Sequence, residues 1–252
     1  HVVCRYLNTD MLDVSEDDLK KQIIPLYWIR GFRALSGESG MHRWTWPLHY
    51  STPTATQHEF TIAAIAHDTP RMPVGPTALP GAYTVRLTVD GKTLTAPLTI
   101  KMDPRVKTSI PGLQKKFQTE MRLASLLTDT SKAVLRAGSL KNQIDKVNAQ
   151  AGNQAKGAID EFEKKLAALL GTSGGFFTPP SSEVTLSRVN GEVSTLYQQI
   201  WQVDAEPTVP QTEALAATES AGAAALKRWS EFTKSDLPAL NRLLRDAKVP
   251  EV

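Results

Sequence analysis

The chain has one cysteine, Cys4, in 252 residues, and no second thiol with which it could form an internal disulfide. A disulfide framework is therefore excluded. A zinc ribbon is excluded too, because no Cys/His pair at metal-ligand spacing accompanies Cys4. The composition, 41% hydrophobic and 22% charged, is that of a globular protein. A chain of this length can bury a core without disulfides or metals.

Charge of one sign is not concentrated anywhere in the chain. The 29 Lys and Arg are interleaved with 26 Asp and Glu, which leaves a net charge of +3. Nucleic-acid-binding proteins usually gather positive charge on one face, so the sequence predicts no nucleic-acid partner. No apolar run reaches the roughly 20 residues of a membrane span. The opening HVVCRYLNTD has no initiating Met and no apolar signal-peptide core, which indicates a fragment or processed product.

Catalytic motifs are missing as well. All five histidines lie within the first 67 residues, and the sequence has no G-x-S-x-G elbow and no Gly-rich phosphate loop. Glu38 and Glu59 stay open as a glycosidase pair, because carboxylate separation is a three-dimensional quantity, but nothing favours them over surface carboxylates. His42 and His49 would face opposite sides of one extended strand. We predict no catalytic residue, no metal site and no cofactor in this chain.

Strand signals fill the first hundred residues. Residues 83–89 alternate apolar and polar side chains, as in a strand with one buried face. Asp90-Gly91 supplies the two positive-φ positions of a type I′ turn, and the alternation resumes from Lys92. Pro97 has no N–H to donate, which indicates an edge strand or a bulge. The sequence therefore predicts a β-hairpin over residues 80–100.

Three further segments carry weaker strand signals: residues 2–6, 43–48 and 58–66. Loops rich in Pro and Gly separate them, and no helical period occurs in this region. Such a pattern is typical of an antiparallel sandwich. A sandwich of the immunoglobulin or fibronectin type needs about seven strands. Since fewer are found here, we expect strands to be missing upstream.

Side-chain periodicity becomes helical after Asp103-Pro104. Apolar residues recur at helical spacing from Leu113 onward, and a second helix is predicted over 154–170 with Gly171 ending it. Two later helices have heptad seams, with steps of three and four residues. The seam positions are Leu186, Val189, Val193, Leu196, Ile200 and Val203, then Leu215, Thr218, Gly222, Ala225, Trp229 and Phe232.

A last short helix is predicted after a cap at Ser235 or Asp236, with Pro238 in its first turn. Long helices joined by short loops are typical of an antiparallel bundle. The predicted fold class is thus α+β multidomain. Residues 1–102 form an antiparallel β-sandwich that is incomplete at its N-terminus, and residues 103–252 form an antiparallel four-helix-type bundle.

Several segments resemble the C-terminal region of secreted bacterial proteins built on BNR-repeat (Asp-box) propellers of the sortilin type, which are often labelled glycosyl hydrolase-like. The matching segments are IPLYWIR (24–30), GMHRWTWPLHY (40–50), PGAYTVRLTVDGKTLTAPLTIKMDPRV (80–106), LSRVNGEVSTLY (186–197), DAEPT (204–208) and DLPALNRLL (236–244). The resemblance implies a longer parent protein and an extracytoplasmic location: periplasmic, cell-surface or secreted. No Asp-box motif occurs in this chain, so no glycosidase role can be transferred to any of its residues.

Two pairs of aromatic residues are candidate binding sites. Trp44 and Trp46 share a predicted strand face, where they form either a platform for sugar rings or part of the core. Phe176 and Phe177 lie in the predicted loop GGFFT and are candidate interaction residues, or they pack beneath the bundle. The two heptad seams can pack against each other within the chain or form an intermolecular coiled coil.

These features together predict a non-catalytic structural or interaction module. It would dock on an upstream propeller of the same parent protein, or mediate assembly with another copy of the chain. The alternative is a carbohydrate- or peptide-binding accessory domain of a glycoside hydrolase-like protein. A sandwich that lacks a strand exposes a sheet edge or an apolar patch. We therefore expect a partner contact near residues 1–30.

Overall fold

The computed structural model describes residues 2–11, 15–30, 34–62, 65–149, 153–171 and 183–252. The fold class is α+β, with two antiparallel sheets of two strands each and four long helices. The chain folds into two compact units. The first unit comprises His1–Thr52, His58–Met121 and Ile200–Pro207, and the second comprises Pro53–Gln57, Arg122–Gln199 and Thr208–Val252. The described strands end before residue 103, but the domain boundary at 102/103 stays a prediction.

Regular structure is sparse before residue 80. The first elements are a short helix α1 (Glu16–Lys20) and a 3-10 turn (Leu26–Trp28). Strand β1 (Glu59–Phe60) then pairs with β2 (Arg71–Met72) in a minimal antiparallel sheet. Among the described residues of the strand predicted over 58–66, Glu59 and Phe60 are the ones in a strand. Within the described part of residues 2–30, no segment forms a strand, and Ile29 makes an isolated bridge with Thr69. Met11, Ile23 and Tyr27 are nevertheless 86%, 91% and 58% exposed, and the partner contact expected near residues 1–30 stays a prediction.

Two predicted strands are wrong. Residues 2–6 and residues 43–48 form no strand. Alternating apolar and polar residues indicate that a segment can form a β-strand, but a strand also needs a neighbouring strand with which to pair. In the second segment, Pro47 has no N–H to donate and Leu48 has a φ of +61°, so the extended run ends. What remains is a single bridge between His49 and Thr77.

The predicted hairpin is confirmed. Strand β3 (Gly81–Val89) pairs antiparallel with β4 (Lys92–Ile100) along its whole length. Asp90 and Gly91 link them with φ values of +48° and +75°, as a type I′ turn requires. Pro97 lies opposite Thr84, and the sheet has only these two strands among the described residues. Pro97 is therefore on an edge strand, as its missing donor predicted.

The four long helices are α2 (Ile110–Asn148), α3 (Asn153–Leu170), α4 (Leu186–Trp201) and α5 (Val209–Asp246). Gly171, with a φ of +67°, follows α3 as predicted. A capping box begins α5, because Thr208 and Gln211 each bond the other's backbone. The heptad positions of α4 and α5 are buried except Val203, which lies beyond the end of α4 and is 51% exposed.

The predicted break within the last helical region is wrong. Helix α5 runs through Pro238 without interruption, although proline removes one backbone hydrogen bond. Asp236, predicted as a cap, instead accepts a hydrogen bond from Lys165 Nζ at 2.9 Å. Its carboxylate therefore joins α5 to α3, and it does not begin a new helix.

Helix contacts form the core of the second unit. The rings of Phe162 and Phe232 lie 4.6 Å apart between α3 and α5. Gly222 of α5 lies against the side chain of Leu126 on α2. Asn190 of α4 is buried and donates to two hydroxyls of α2, at 3.0 and 2.8 Å. The acceptors are those of Thr130 and Ser131.

Candidate interaction surface

The β3–β4 hairpin has one apolar face. Residues directly opposite in the register share a face, and Leu87 lies opposite Leu94. Val85 and Val89 lie on the same face, because alternate residues of a strand point the same way. The opposite face carries mainly threonines and Arg86. The hairpin therefore has the amphipathic pattern of a sheet that packs on one side only.

This apolar face is covered only at its base. Tyr83 donates its hydroxyl to the carbonyl of Leu79 at 2.7 Å, and its ring lies 5.8 Å from that of Trp46. Farther along the hairpin, Val85 and Leu87 are each 51% exposed, Val89 is 53% exposed and Leu94 is 69% exposed. We call the patch formed by Val85, Leu87, Val89 and Leu94 the hairpin patch. Contiguous exposed apolar side chains of this kind typically mark interaction sites.

The edges of the hairpin have no neighbouring strand in the part of the chain that the structure describes. Among the described strands, β3 and β4 pair only with each other. Each strand therefore has one edge along which its outward N–H and C=O groups have no neighbouring strand, and such an edge is a template for pairing with another chain. A two-stranded hairpin is marginal in stability when isolated in water. The uncovered sheet of the described structure lies at residues 81–100, outside the region near residues 1–30 where the sequence predicted a partner contact.

Neither Trp44 nor Trp46 lies in a strand. Trp44 is 36% exposed and packs beside Tyr6, with ring centroids 4.9 Å apart. Trp46 is half-buried and donates its Nε1 hydrogen to the carbonyl of His49 at 2.9 Å. Neither residue is buried in the core. Phe176 and Phe177 lie outside the described residues.

The histidines and carboxylates weighed as ligands are dispersed. His42 Nε2 lies 2.8 Å from the backbone oxygen of Glu38. Burial, with help from the positive charges of Arg30 and Lys116, lowers the pKa of His49. His49 Nδ1 is buried and has no hydrogen-bond partner among the described residues. Across the described ranges, no group of three or more His, Cys, Asp or Glu side chains is arranged to hold a metal ion.

A buried ion pair in the first unit is absent from the sequence-based predictions. On α2, Lys116 Nζ donates to Glu120 Oε1 at 2.7 Å, and both side chains are almost completely buried. The backbone N–H of Thr77 donates to the other carboxylate oxygen at 3.2 Å. Burial raises the pKa of Glu120, while the positive charge of Lys116 acts in the opposite direction. Asp204 Oδ1 lies 3.9 Å from Lys116 Nζ.

A signal for this pair does exist in the sequence. Lys116 and Glu120 occupy the seam of α2 in the same three- and four-residue steps as its buried leucines. The buried residues at these steps in the first part of α2 are Leu113, Lys116, Glu120, Leu123, Leu127 and Thr130. Of the apolar residues at helical spacing that predicted this helix, Phe117, Met121 and Val134 are half-buried and the others are buried: Leu113, Ala124, Leu127, Ile144 and Val147. An i,i+4 Lys/Glu pair normally indicates a solvent-exposed helix face, so its spacing alone does not predict burial.

The pair lines a cavity of about 260 Å³ in the first unit. Apolar lining comes from Leu48, Ile100, Leu113 and Phe117, among others. The polar lining includes Lys116, Glu120 and Asp204.

Comparisons with known proteins return no match. No family model matches the chain, and no significant similarity is found to a curated protein or to a solved structure. No helix in the described part of the chain is long and apolar enough to cross a membrane. The resemblance to propeller proteins therefore stays an expectation that rests on the quoted segments.

Proposed function

We propose that the chain is a non-catalytic structural module of a secreted propeller protein, and that the hairpin patch is its docking surface. In this proposal β3 and β4 are two strands of an antiparallel sandwich. The propeller part of the same parent protein supplies the cover of their apolar face. The four long helices form a bundle that extends the assembly. The location would be extracytoplasmic.

The observation that carries this proposal is the exposure of the hairpin patch. Its four side chains are each at least 51% exposed, although the alternation of β3 and β4 is that of a sheet with one buried face. The propeller as occupant is supported by the quoted family segments, which include the hairpin itself. A polypeptide that covers the patch would bury the apolar face that the alternating sequence of β3 and β4 predicts to be buried.

The expected contribution of the patch can be calculated from two leucines. Leu87 is 51% exposed and Leu94 is 69% exposed. Burying a whole leucine side chain is worth roughly 1.5–3 kcal/mol, so covering these fractions is worth about 2–3.5 kcal/mol. That corresponds to a factor of about 30–300 in affinity.

The test uses a charged pair on each face of the hairpin. Leu87→Lys with Leu94→Lys places two lysines opposite each other on the apolar face. Thr88→Lys with Thr93→Lys does the same on the polar face, because Thr88 lies opposite Thr93. The binding partner is the polypeptide encoded upstream in the same reading frame, expressed separately, and affinity is measured by calorimetry.

We expect the leucine variant to bind at least about 30-fold more weakly than the wild type, and the threonine variant to bind within about threefold. Equal weakening by both variants would contradict the proposal. Sedimentation of the isolated chain tests whether a second copy of the chain covers the patch instead. A wild-type dimer that the leucine variant abolishes would assign the patch to self-assembly.

A second candidate function is supported by Trp44. Its indole is 36% exposed beside Tyr6, which suits an accessory domain that binds carbohydrate or peptide through an aromatic surface. Glycan-array binding by the wild-type chain, lost in Trp44→Ala and kept in Leu87→Lys with Leu94→Lys, would favour this function over docking through the hairpin.

A further inference from the structure

The cavity in the first unit contains a hydrogen-bond donor that its neighbours do not saturate. An ammonium group has three N–H donors. In the described part of the chain, Lys116 Nζ donates one hydrogen bond within normal distance, to Glu120 Oε1 at 2.7 Å. Glu120 uses its second oxygen to accept from the backbone N–H of Thr77. Each oxygen of Glu120 therefore accepts one hydrogen bond, while Lys116 has donors to spare.

Asp204 is a second polar residue of the cavity near the Lys116 ammonium group. Its Oδ1 lies 3.9 Å from Lys116 Nζ, and its side chain is 47% exposed. That separation is too long for a direct hydrogen bond and suits a bridging group between the two. The bridging group must accept from the ammonium and donate to the carboxylate. A hydroxyl group does both.

The charge balance of the cavity selects a neutral ligand. The lining has three acidic residues, Asp103, Glu120 and Asp204, and two lysines, Lys101 and Lys116. An anion would therefore meet a net negative charge there. A primary amine would meet the Lys116 ammonium. Most of the remaining lining residues are apolar, with Phe117, Leu113 and Ile100 among them, and the exceptions are Thr77, Lys101 and Asp103. An apolar wall beside one donor and one acceptor suits a ring with C–H groups on its face and hydroxyls at its rim.

We propose that this cavity binds a neutral polyhydroxylated ring of pyranose size, with one hydroxyl bridging Lys116 and Asp204. The cavity volume of about 260 Å³ lies just below the range of about 300–1,000 Å³ that drug-sized ligands occupy. A single ring therefore fits, whereas a larger ligand would extend beyond the cavity. This site is separate from the hairpin patch, and it does not depend on the function proposed above.

The test is a titration of the whole chain with D-glucose, D-mannose, D-galactose and N-acetyl-D-glucosamine, followed by two-dimensional amide NMR. For a ring of this size we expect saturable shifts, with a Kd on the order of 1 mM for at least one sugar. The shifts should occur around Thr77, Leu113 and Phe117. Glucuronate and glucosamine serve as the anionic and cationic comparisons and should bind more weakly.

The decisive variant is Asp204→Ala, which removes a half-exposed carboxylate and is not expected to unfold the chain. Its matched control is Glu206→Ala, because Glu206 is 52% exposed, lies in the same loop and pairs with Lys115 at 3.0 Å. Glu206 does not line the cavity. We expect Asp204→Ala to weaken binding about tenfold or more and Glu206→Ala to leave it unchanged.

Three results would overturn the proposal. The first is the absence of saturable shifts with all four neutral sugars. The second is binding that Asp204→Ala leaves unchanged. The third is tighter binding of glucuronate or glucosamine than of glucose. Because none of these variants alters β3 or β4, failure here leaves the hairpin proposal standing.

Discussion

Replacing Gly222 by alanine tests how closely α5 approaches α2. A Cβ atom built on Gly222 would lie 2.7 Å from Leu126 Cδ1 and 3.3 Å from its Cδ2. Two other helical glycines, Gly138 on α2 and Gly191 on α4, have no atom within 4 Å of the corresponding position. The same chemical change therefore meets a filled space at one site and open space at the other two.

Two opposing terms determine the magnitude at Gly222. Alanine gains about 1 kcal/mol over glycine within a helix, while forcing an extra carbon into a packed contact costs about 1–3 kcal/mol. The net effect expected for Gly222→Ala is a loss of about 0–2 kcal/mol. Gly138→Ala and Gly191→Ala should each gain about 0.5–1 kcal/mol, because only the helix term applies.

The assay is urea unfolding monitored by circular dichroism, with a double-mutant cycle between Gly222→Ala and Leu126→Ala. Truncating Leu126 should remove the clash, so Gly222→Ala should be stabilising in that background, with a coupling of about 1–3 kcal/mol. The reasoning would be refuted if Gly222→Ala stabilised the otherwise wild-type chain as much as Gly191→Ala does.

Three further predictions concern buried polar groups. Lys116→Met should lower the free energy of unfolding by about 3–5 kcal/mol because it leaves a buried carboxylate unpaired. The double variant Lys116→Met with Glu120→Leu should lower it far less, as measured by urea unfolding. Equal losses of stability in the two variants would contradict this. Burial raises the pKa of Glu120, so between its ordinary pKa and its folded pKa the folded chain binds more protons than the unfolded chain does. Stability should therefore fall as the pH rises from the ordinary Glu pKa through the folded one, and Glu120→Gln should flatten that slope in unfolding titrations. Asn190→Ala should cost about 1–3 kcal/mol, because it removes the donor from the buried hydroxyls of Thr130 and Ser131; a cost near zero in thermal unfolding would refute this.

Local signals are sufficient to predict some elements. The β-hairpin follows from strict alternation on both sides of Asp90-Gly91, and the turn conformation follows from those two residues. Helix α4 follows from its heptad steps, since each seam position within the helix is buried. In these cases the chemistry that determines the structure lies within about twenty residues of sequence.

The incorrect predictions each depend on a distant partner. Residues 43–48 alternate like a strand, but no neighbouring strand is supplied by the described part of the chain. Asp236 has the residue type and position of a helix cap, and instead it pairs with Lys165 on α3. Lys116 and Glu120 have the spacing of a surface pair, and packing in the first unit buries them. Sequence periodicity does not specify which segments meet.

The most direct test of the docking proposal is hydrogen exchange across β3 and β4. Amide exchange of residues 83–98 is measured in the isolated chain and in the complete parent protein, and the helix amides of α4 serve as the internal reference. If the propeller covers the hairpin patch, these amides should exchange at least about tenfold more slowly in the parent, while the α4 amides change little. Equal exchange rates in both proteins, or a reading frame without an upstream propeller, would contradict the account.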